Sequence, residues 1–376
     1  MPMDYVEIRA SKNGHYVNGE LPIIIRGFVD SSTPSFSFSS SGGPSEPRVT
    51  ISGRDYTKLL IEWQVLYLWT QNTFKQGGNL GALIGKSRGL GLYFNFRLPL
   101  APETITQFFE AVMKNMVDPI FTGLKKYPFG ALPDLQYNFV FPEYPMSSLN
   151  VLSYTGSYWN LMQYIASPPF GELFIWDDVD APVITSRMAP YTWLDGAKAY
   201  PADQLDLPYE SLGNIENIVN FNPTRTDHDL YTYFLTYGST TQLVGLTMPA
   251  FVTGKGNGIT TSYADLYGIR PLMIDTSWIS EFNASDIGKP NPSAVQLGDT
   301  LNQWLVATMG ETQYFWSGSI QCHGDEDFHI GTYRTVPSRN QIYYVSGIQD
   351  MYTVGSLGST ADQWTANLQV VRGRDF

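Results

Sequence analysis

Cysteine is almost missing from this chain. One residue in 376, Cys322, carries a thiol, so no disulfide can form within the chain. Charge is scarce as well: charged residues make up 15%, and 23 Lys and Arg against 35 Asp and Glu leave a net charge of −12. A chain of that sign does not grip phosphate backbones, which argues against sequence-specific nucleic-acid binding. It suits a surface that nucleic acid passes without sticking. No run of 18 apolar residues occurs, so no transmembrane helix and no membrane insertion are expected. Residues 1–10 lack the apolar core of a signal peptide. Histidine is limited to His15, His228, His323 and His329, none in a recognisable catalytic context, and no G-x-S-x-G elbow is found. The expectation is a soluble, intracellularly made protein.

What the chain has in quantity is aromatic and turn chemistry. Aromatics reach 14%, with 24 Tyr, 21 Phe and 9 Trp, beside 34 Gly and 24 Pro. Gly and Pro in this number argue for many turns, and low charge with many aromatics implies either large buried interfaces or a β-rich fold with much of its surface covered. The rings suit either sugar-binding platforms or wide subunit interfaces, and the absence of a convincing active site favours interfaces. The length suffices for two or three domains with real cores.

One short pattern occurs twice. Residues 49–56 read V-T-I-S-G-R-D-Y and residues 369–376 read Q-V-V-R-G-R-D-F. Each is a run rich in β-branched residues, then Gly-Arg-Asp, then an aromatic. The spacing predicts two related β-units, one ending at Asp55 and one at Asp375.

Strands are predicted at 5–10, 21–29 and 48–52, with Ser, Gly and Pro between 31 and 47 reading as loop, although Phe36 and Phe38 alternate with Ser. Asp55 can cap a following helix that is apolar nearly all round, with Leu59, Trp63, Leu66, Tyr67 and Thr70 on one face. A second helix starts near Pro102 and carries Ile105, Phe108, Phe109, Val112 and Met116 at helical spacing. Ser157 caps a third, with Tyr158, Leu161, Met162 and Ile165 as its stripe, stopped by Pro168-Pro169. Strand-like runs 172–176 and 182–187 flank an acidic turn, and 229–237 reads as another strand. Residues 240–292 look irregular. Asn291-Pro292 opens a last helix with Leu301, Trp304, Leu305 and Thr308 inward. Strands at 313–321, 327–335, 341–349 and 364–372 then read as an antiparallel meander, which the runs at 172–187 and 229–237 could close into a small barrel.

Three constellations have catalytic or binding potential. Cys322, His323, Asp325, Glu326, Asp327 and His329 are the only metal-like cluster, but adjacent Cys and His do not have zinc spacing and a polar β-turn is the default. Gly81 to Ser87 resembles a phosphate loop with one residue too few between its glycines, since Leu80 stands where Gly would be needed; Gly254-Lys-Gly256-Asn-Gly258 lacks a strand–glycine–helix context. Asp177, Asp178 and Asp180 are the carboxylates a glycosidase would use, yet they sit in what reads as a solvated hairpin turn. No catalytic, cofactor-binding or metal residue is therefore assigned, and no cofactor is expected.

Several segments, in order, carry a family resemblance. They are Tyr154 to Leu161 running on to Glu172-Leu173-Phe174, Pro182 to Tyr191, Arg225-Thr226-Asp227, Trp304, Gly318 to Ile320, Ile330 to Tyr333, Tyr343 to Ile348, and Trp364 to Leu368. Together they resemble the hub proteins of phage baseplates, the late-control D-like family of contractile tails, over about 220 residues. Before residue 150 the likeness is confined to Ile51 to Asp55 and the helix after it. The resemblance implies a mainly β fold with helical insertions (α+β), two small antiparallel β-barrel lobes per chain, and a homotrimer forming a pseudo-sixfold ring. It implies no enzymatic activity. The implied role is a symmetry adaptor between a sixfold tail tube protein above and a threefold spike protein below, beside other baseplate proteins. The ring would line the DNA-ejection channel, with transient passage of DNA, in a virion tail baseplate assembled in the host cytoplasm.

The division expected is 1–70 for a reduced first lobe with its closing helix, 71–165 for a mixed connecting domain, and 166–240 for the first part of the second lobe. An insertion at 241–310 contains the helix 293–309, and 311–376 forms the closing strands. The first lobe has room for about four strands, so another chain could complete it. Ending at Phe376, the chain is expected to carry no spike or lysozyme domain of its own. The competing reading is a β-rich polysaccharide hydrolase or a carbohydrate-binding tail accessory protein.

Overall fold

The computed structural model describes residues 4–12, 14, 16, 19–37, 46–65, 103–118, 121–122, 132–142, 145–146, 156–177, 180–189, 213–238, 258–279, 282–283, 286–290, 292–310, 312–353 and 363–375. Leu66, Tyr67, Thr70, the 81–87 loop, Pro102, Asp178 and Asn291 lie outside them.

β1 (Tyr5–Arg9), β2 (Ile23–Ser37) and β3 (Glu46–Asp55) make an antiparallel sheet in that order. The Ser-rich stretch predicted as loop is strand as far as Ser37; the Phe–Ser alternation decides the conformation over composition. α1 (Thr57–Glu62) follows at once and is shorter than its apolar pattern suggests, because the chain turns into β4 (Gln64–Val65). The N-cap position falls on Tyr56, one residue later than expected, and Asp55 Oδ1 accepts from the Thr57 backbone N–H at 2.9 Å in the turn that leads into the helix.

β5 (Glu103–Thr104) runs into α2 (Ile105–Val112), which continues as a π-helical turn over Met113–Val117. The start is fixed by a capping box between Thr104 and Gln107. β6 (Gln136–Val140) and β7 (Pro145–Met146) follow, and β7 pairs with β5. β8 (Gly156–Ser157), paired with β4, leads into α3 (Tyr158–Ala166). Ser157 Oγ takes the Asn160 N–H at 3.1 Å, and Tyr158, Leu161, Met162 and Ile165 are fully buried as their spacing predicts. Each such side chain contributes about 1.5–3 kcal/mol through burial.

β9 (Gly171–Asp177) and β10 (Pro182–Met188) are an antiparallel pair, and β6 adds in parallel to β10. β11 (Gly213–Asn214) and β12 (Ile218–Phe221) come next. β13 (Tyr233–Gly238), β14 (Ile259–Thr260) and β15 (Pro271–Thr276) form a sheet in the order β14-β13-β15, with α4 (Ala264–Tyr267) between the last two strands. The region read as irregular thus holds a strand parallel to β13. β16 (Phe282–Asn283) and β17 (Asp286–Pro290) pair before α5 (Pro292–Met309). α5 packs on β13, where buried Asn302 accepts the Thr236 N–H at 2.6 Å, and Thr308, in the apolar stripe, satisfies its hydroxyl on Trp304 O at 2.8 Å.

The last strands are β18 (Trp316–His323), β19 (Tyr333–Val336), β20 (Gln341–Thr353) and β21 (Gln363–Asp375). They belong to a six-stranded sheet ordered β11-β19-β20-β21-β18-β12. This corrects the meander: β18 lies beside β21, so the four strands follow Greek-key order. It also corrects the closing strands. β9, β10 and β13 pair in other sheets, while β11 and β12 take the two edges. Those edges belong to consecutive pieces of chain. Asn214 and Ile218 can stand no more than about 15 Å apart, whereas a flat six-stranded sheet separates its edges by about 24 Å. The sheet must curl into an open half-barrel. Register shifts in the β12–β18, β18–β21 and β20–β21 pairings supply the bends.

Two cores result. The half-barrel interior is filled by Ile320, Cys322, Tyr343, Val345, Ala366, Leu368 and Val370. A larger cluster joins α1, α2, α3, α5 and the central strands. Much of the aromatic content goes there rather than to the outside: Phe109 stacks on Phe139 and Phe141, Phe141 meets Trp278, and Phe170 links Trp278 to Trp304, all with centroids within 4.9–5.7 Å. The fold is mainly β with a few helices. The C-terminal sheet is the half-barrel, and the N-terminal sheet is three-stranded among the described residues.

Candidate functional site

The metal-like cluster is dispersed by the strand that carries it. Cys322 and His323 are neighbours on β18, so their side chains leave on opposite faces. Cys322 is fully buried with Sγ against Ala366 O at 3.8 Å, and burial pushes its thiol up to about 12; His323 is exposed. The His329 ring packs on Trp176 instead. Among the described residues no three His, Cys, Asp or Glu side chains gather as metal ligands would. The carboxylates of this turn hold the N-terminal segment. Lys12 Nζ donates to Asp325 at 2.8 Å, Ser11 Oγ to Glu326 at 2.9 Å, and the Lys12 N–H to Glu326 at 2.8 Å.

The acidic turn is likewise put to structural use. Asp177 is nearly buried and accepts the Arg26 N–H at 2.9 Å, with the Arg26 guanidinium at 3.5 Å. Burial pushes its carboxyl up to about 6, against the pull of Arg26. Asp180 is exposed at the turn. Arg26 and Asp177 therefore tie β2 to β9, and this carboxylate points at an arginine rather than into a cleft.

The third polar cluster was not singled out by sequence. Glu172 and Arg187 are directly opposed on β9 and β10, with Nε to Oε1 at 2.6 Å. Arg187 also donates to Gly331 O, and Tyr344 Oη donates to the second Glu172 oxygen. The guanidinium lies over the Phe174 ring at 5.4 Å. Burial pushes the Glu172 carboxyl up, and the Arg187 charge and Tyr344 hydroxyl pull it back part of the way. All four residues lie in the resembling segments, but nothing local joins them: Gly331 and Tyr344 are 144 and 172 residues from the groups they meet.

The three clusters form a circuit. Arg26–Asp177 joins the N-terminal sheet to the central sheet, Arg187 through Gly331 O and Glu172 through the Tyr344 hydroxyl join the central sheet to the half-barrel, and Lys12–Asp325 joins the half-barrel back to the N-terminal segment. Such an arrangement resists relative motion of the sheets.

The Gly-Arg-Asp copies end two strands of this frame. Gly53 to Asp55 pairs with Val29 to Gly27, and Arg374 and Asp375 pair with Ile342 and Gln341. Each glycine marks a close approach: a Cβ at Gly53 would stand 2.6 Å from Phe28 O, and one at Gly373 would stand 2.0 Å from the Tyr343 ring. Arg54 forks onto Asp30 at 2.8 and 3.0 Å, and with Lys58 it draws the Asp30 carboxyl down to about 2. Asp375 accepts from Gln341 Nε2 at 3.0 Å.

No protein-family model matches the chain, and no curated protein matches it in sequence. Among solved structures it is similar to the 43 kDa tail protein of prophage MuSo2 from Shewanella oneidensis, at 14% identity and a TM-score of 0.43, over 98% of this chain and 88% of that one. It is also similar to the prophage tail protein gp18 from Listeria monocytogenes EGD-e, at 8% identity and a TM-score of 0.40, over 98% of this chain and 86% of that one. Likeness at this level establishes neither a common fold nor a common function.

Proposed function

We propose that the chain is a structural protein of a phage tail and, within the tail, the baseplate hub. One observation carries the reading. The hub-like segments Gly318 to Ile320, Tyr343 to Ile348 and Trp364 to Leu368 fall on β18, β20 and β21, adjacent strands of one half-barrel that ends on the second Gly-Arg-Asp. The polar circuit supports a mechanical rather than a chemical role, since Asp177 and Glu172 are engaged in ties between sheets, and Asp325 and Glu326 hold the N-terminal segment.

In this role three copies form a ring with two lobes from each chain. The ring passes from sixfold symmetry on the tube side to threefold symmetry on the spike side. At −12 per chain, the assembled collar repels the phosphate backbone of DNA leaving through it, and the DNA slides without adhering. The test is the mass of the purified chain in solution by light scattering, with negative-stain images. Three copies in an annulus are expected; a monomer with an open cleft overturns the reading.

A further inference from the structure

The outward face of the half-barrel carries a row of carboxamides. Asn220 on β12 is opposite Gln321 on β18, Gln321 is opposite Asn367 on β21, and Asn367 is opposite Gln349 on β20. Four amides thus lie side by side across four adjacent strands, a span of about 14 Å at ordinary strand spacing. They line a concave site of about 240 Å³ together with Ser319 and Thr365. No Lys, Arg, Asp or Glu lines it. The opposite faces of the same strands are spent on the core through Ile320, Cys322, Ala366 and Leu368, so packing does not account for the outward row. None of these six polar side chains makes a hydrogen bond to another group among the described residues.

We propose that this groove binds a neutral saccharide. Each carboxamide offers two N–H donors and a carbonyl acceptor, and each hydroxyl offers both functions. A ligand that answers them must donate and accept along its length, as sugar hydroxyls do. An anion offers acceptors alone and would leave the amide oxygens unmatched, and a groove without cations does not hold phosphate or carboxylate groups. Nucleic acid is disfavoured by the same lack of cations and by the acidity of the chain. An extended peptide adds to a sheet through its edge, whereas these groups stand on a face. Met351, 59% exposed at one end of the groove, presents a soft apolar surface to the C–H face of a sugar ring. The inference does not depend on the hub reading.

The test is calorimetric titration of the full chain with maltohexaose, cellohexaose and chitohexaose, with hexagalacturonate as the anionic control. Binding of at least one neutral hexasaccharide is expected with Kd on the order of 1 mM or tighter. It should weaken at least tenfold in the Gln321→Leu/Asn367→Leu pair, and in Gln349→Leu, whose exposed position leaves folding intact. Failure of all three neutral ligands to bind, equal binding of hexagalacturonate, or affinity unchanged in the variants overturns the proposal. So does self-association of the chain that the same substitutions weaken, which would assign the groove to a second copy.

Discussion

The N-terminal and C-terminal sheets end on the same three residues in different surroundings. Gly53-Arg54-Asp55 closes β3, which pairs only with β2 among the described residues; Gly373-Arg374-Asp375 closes β21, which has β20 on one side and β18 on the other. The N-terminal sheet leaves Val6, Ile8, Ile25 and Ile51 exposed, while the half-barrel encloses Ile320, Val345, Leu368 and Val370. Gly53 approaches backbone, and Gly373 lies under a buried tyrosine ring. The left-handed Arg372 just before the second copy lies with its guanidinium 4.2 Å over Phe315 and donates to Thr308 O, which anchors β21 beside α5. The shared tripeptide marks a strand end in each sheet. Whether a sheet has its own core is decided by the strands that flank that end.

The largest expected effect separates the two sheets by their cores. Leu368→Ala, in the half-barrel interior, should cost about 3 kcal/mol, while Ile51→Ala, on the exposed sheet, should stay within about 0.5 kcal/mol. Denaturant titration of the two variants measures this, and equal losses would break the distinction. Next, Arg187→Ala strands the largely buried Glu172 and should cost about 3 kcal/mol. The same titration should still show one transition; an unchanged midpoint would mean that the half-barrel is not braced by the central sheet.

A smaller effect tests the tripeptides directly. Gly373→Ala forces a methyl against the Tyr343 ring and Gly53→Ala forces one against Phe28 O, each for about 1–3 kcal/mol. Melting temperatures of the pair report it, and tolerance at either site would show that its glycine is not needed for close approach. The smallest effect concerns the tie between sheets. The folded-state carboxyl of Asp177, at about 6, lies above its ordinary value of 3.8, so the folded chain binds a proton more readily than the unfolded one. That contribution to stability is present in full below about 3.8 and is lost as pH rises through about 6. Asp177→Asn should flatten this part of the melting temperature–pH profile, and an identical slope in the variant would contradict the burial of Asp177.

Local signals carried much of the fold. Ser157 and its apolar stripe located α3, the spacing of Leu301, Trp304 and Leu305 located α5, and strand-like runs on either side of an acidic turn located β9 and β10. The Thr104–Gln107 capping box, legible in the sequence, starts α2 at Ile105 rather than at Pro102. What sequence could not supply was pairing. β11 has only two residues and no pattern of its own, and becomes a sheet edge through β19, more than 110 positions away. The parallel pairing of β13 with β15 has no local signature. The polar ties were illegible for the same reason. Asp177 in a hairpin turn reads as solvated until Arg26, 151 residues away, is placed beside it, and the amide row emerges only when four strands are set in register.

The most direct measurement is a cryo-electron microscopy map of the purified chain. The hub account predicts a threefold annulus of six lobes, with residues 53–55 and 373–375 at matching radius and height in alternate lobes. A monomer, or a trimer that places the two tripeptides in unrelated positions, would contradict it.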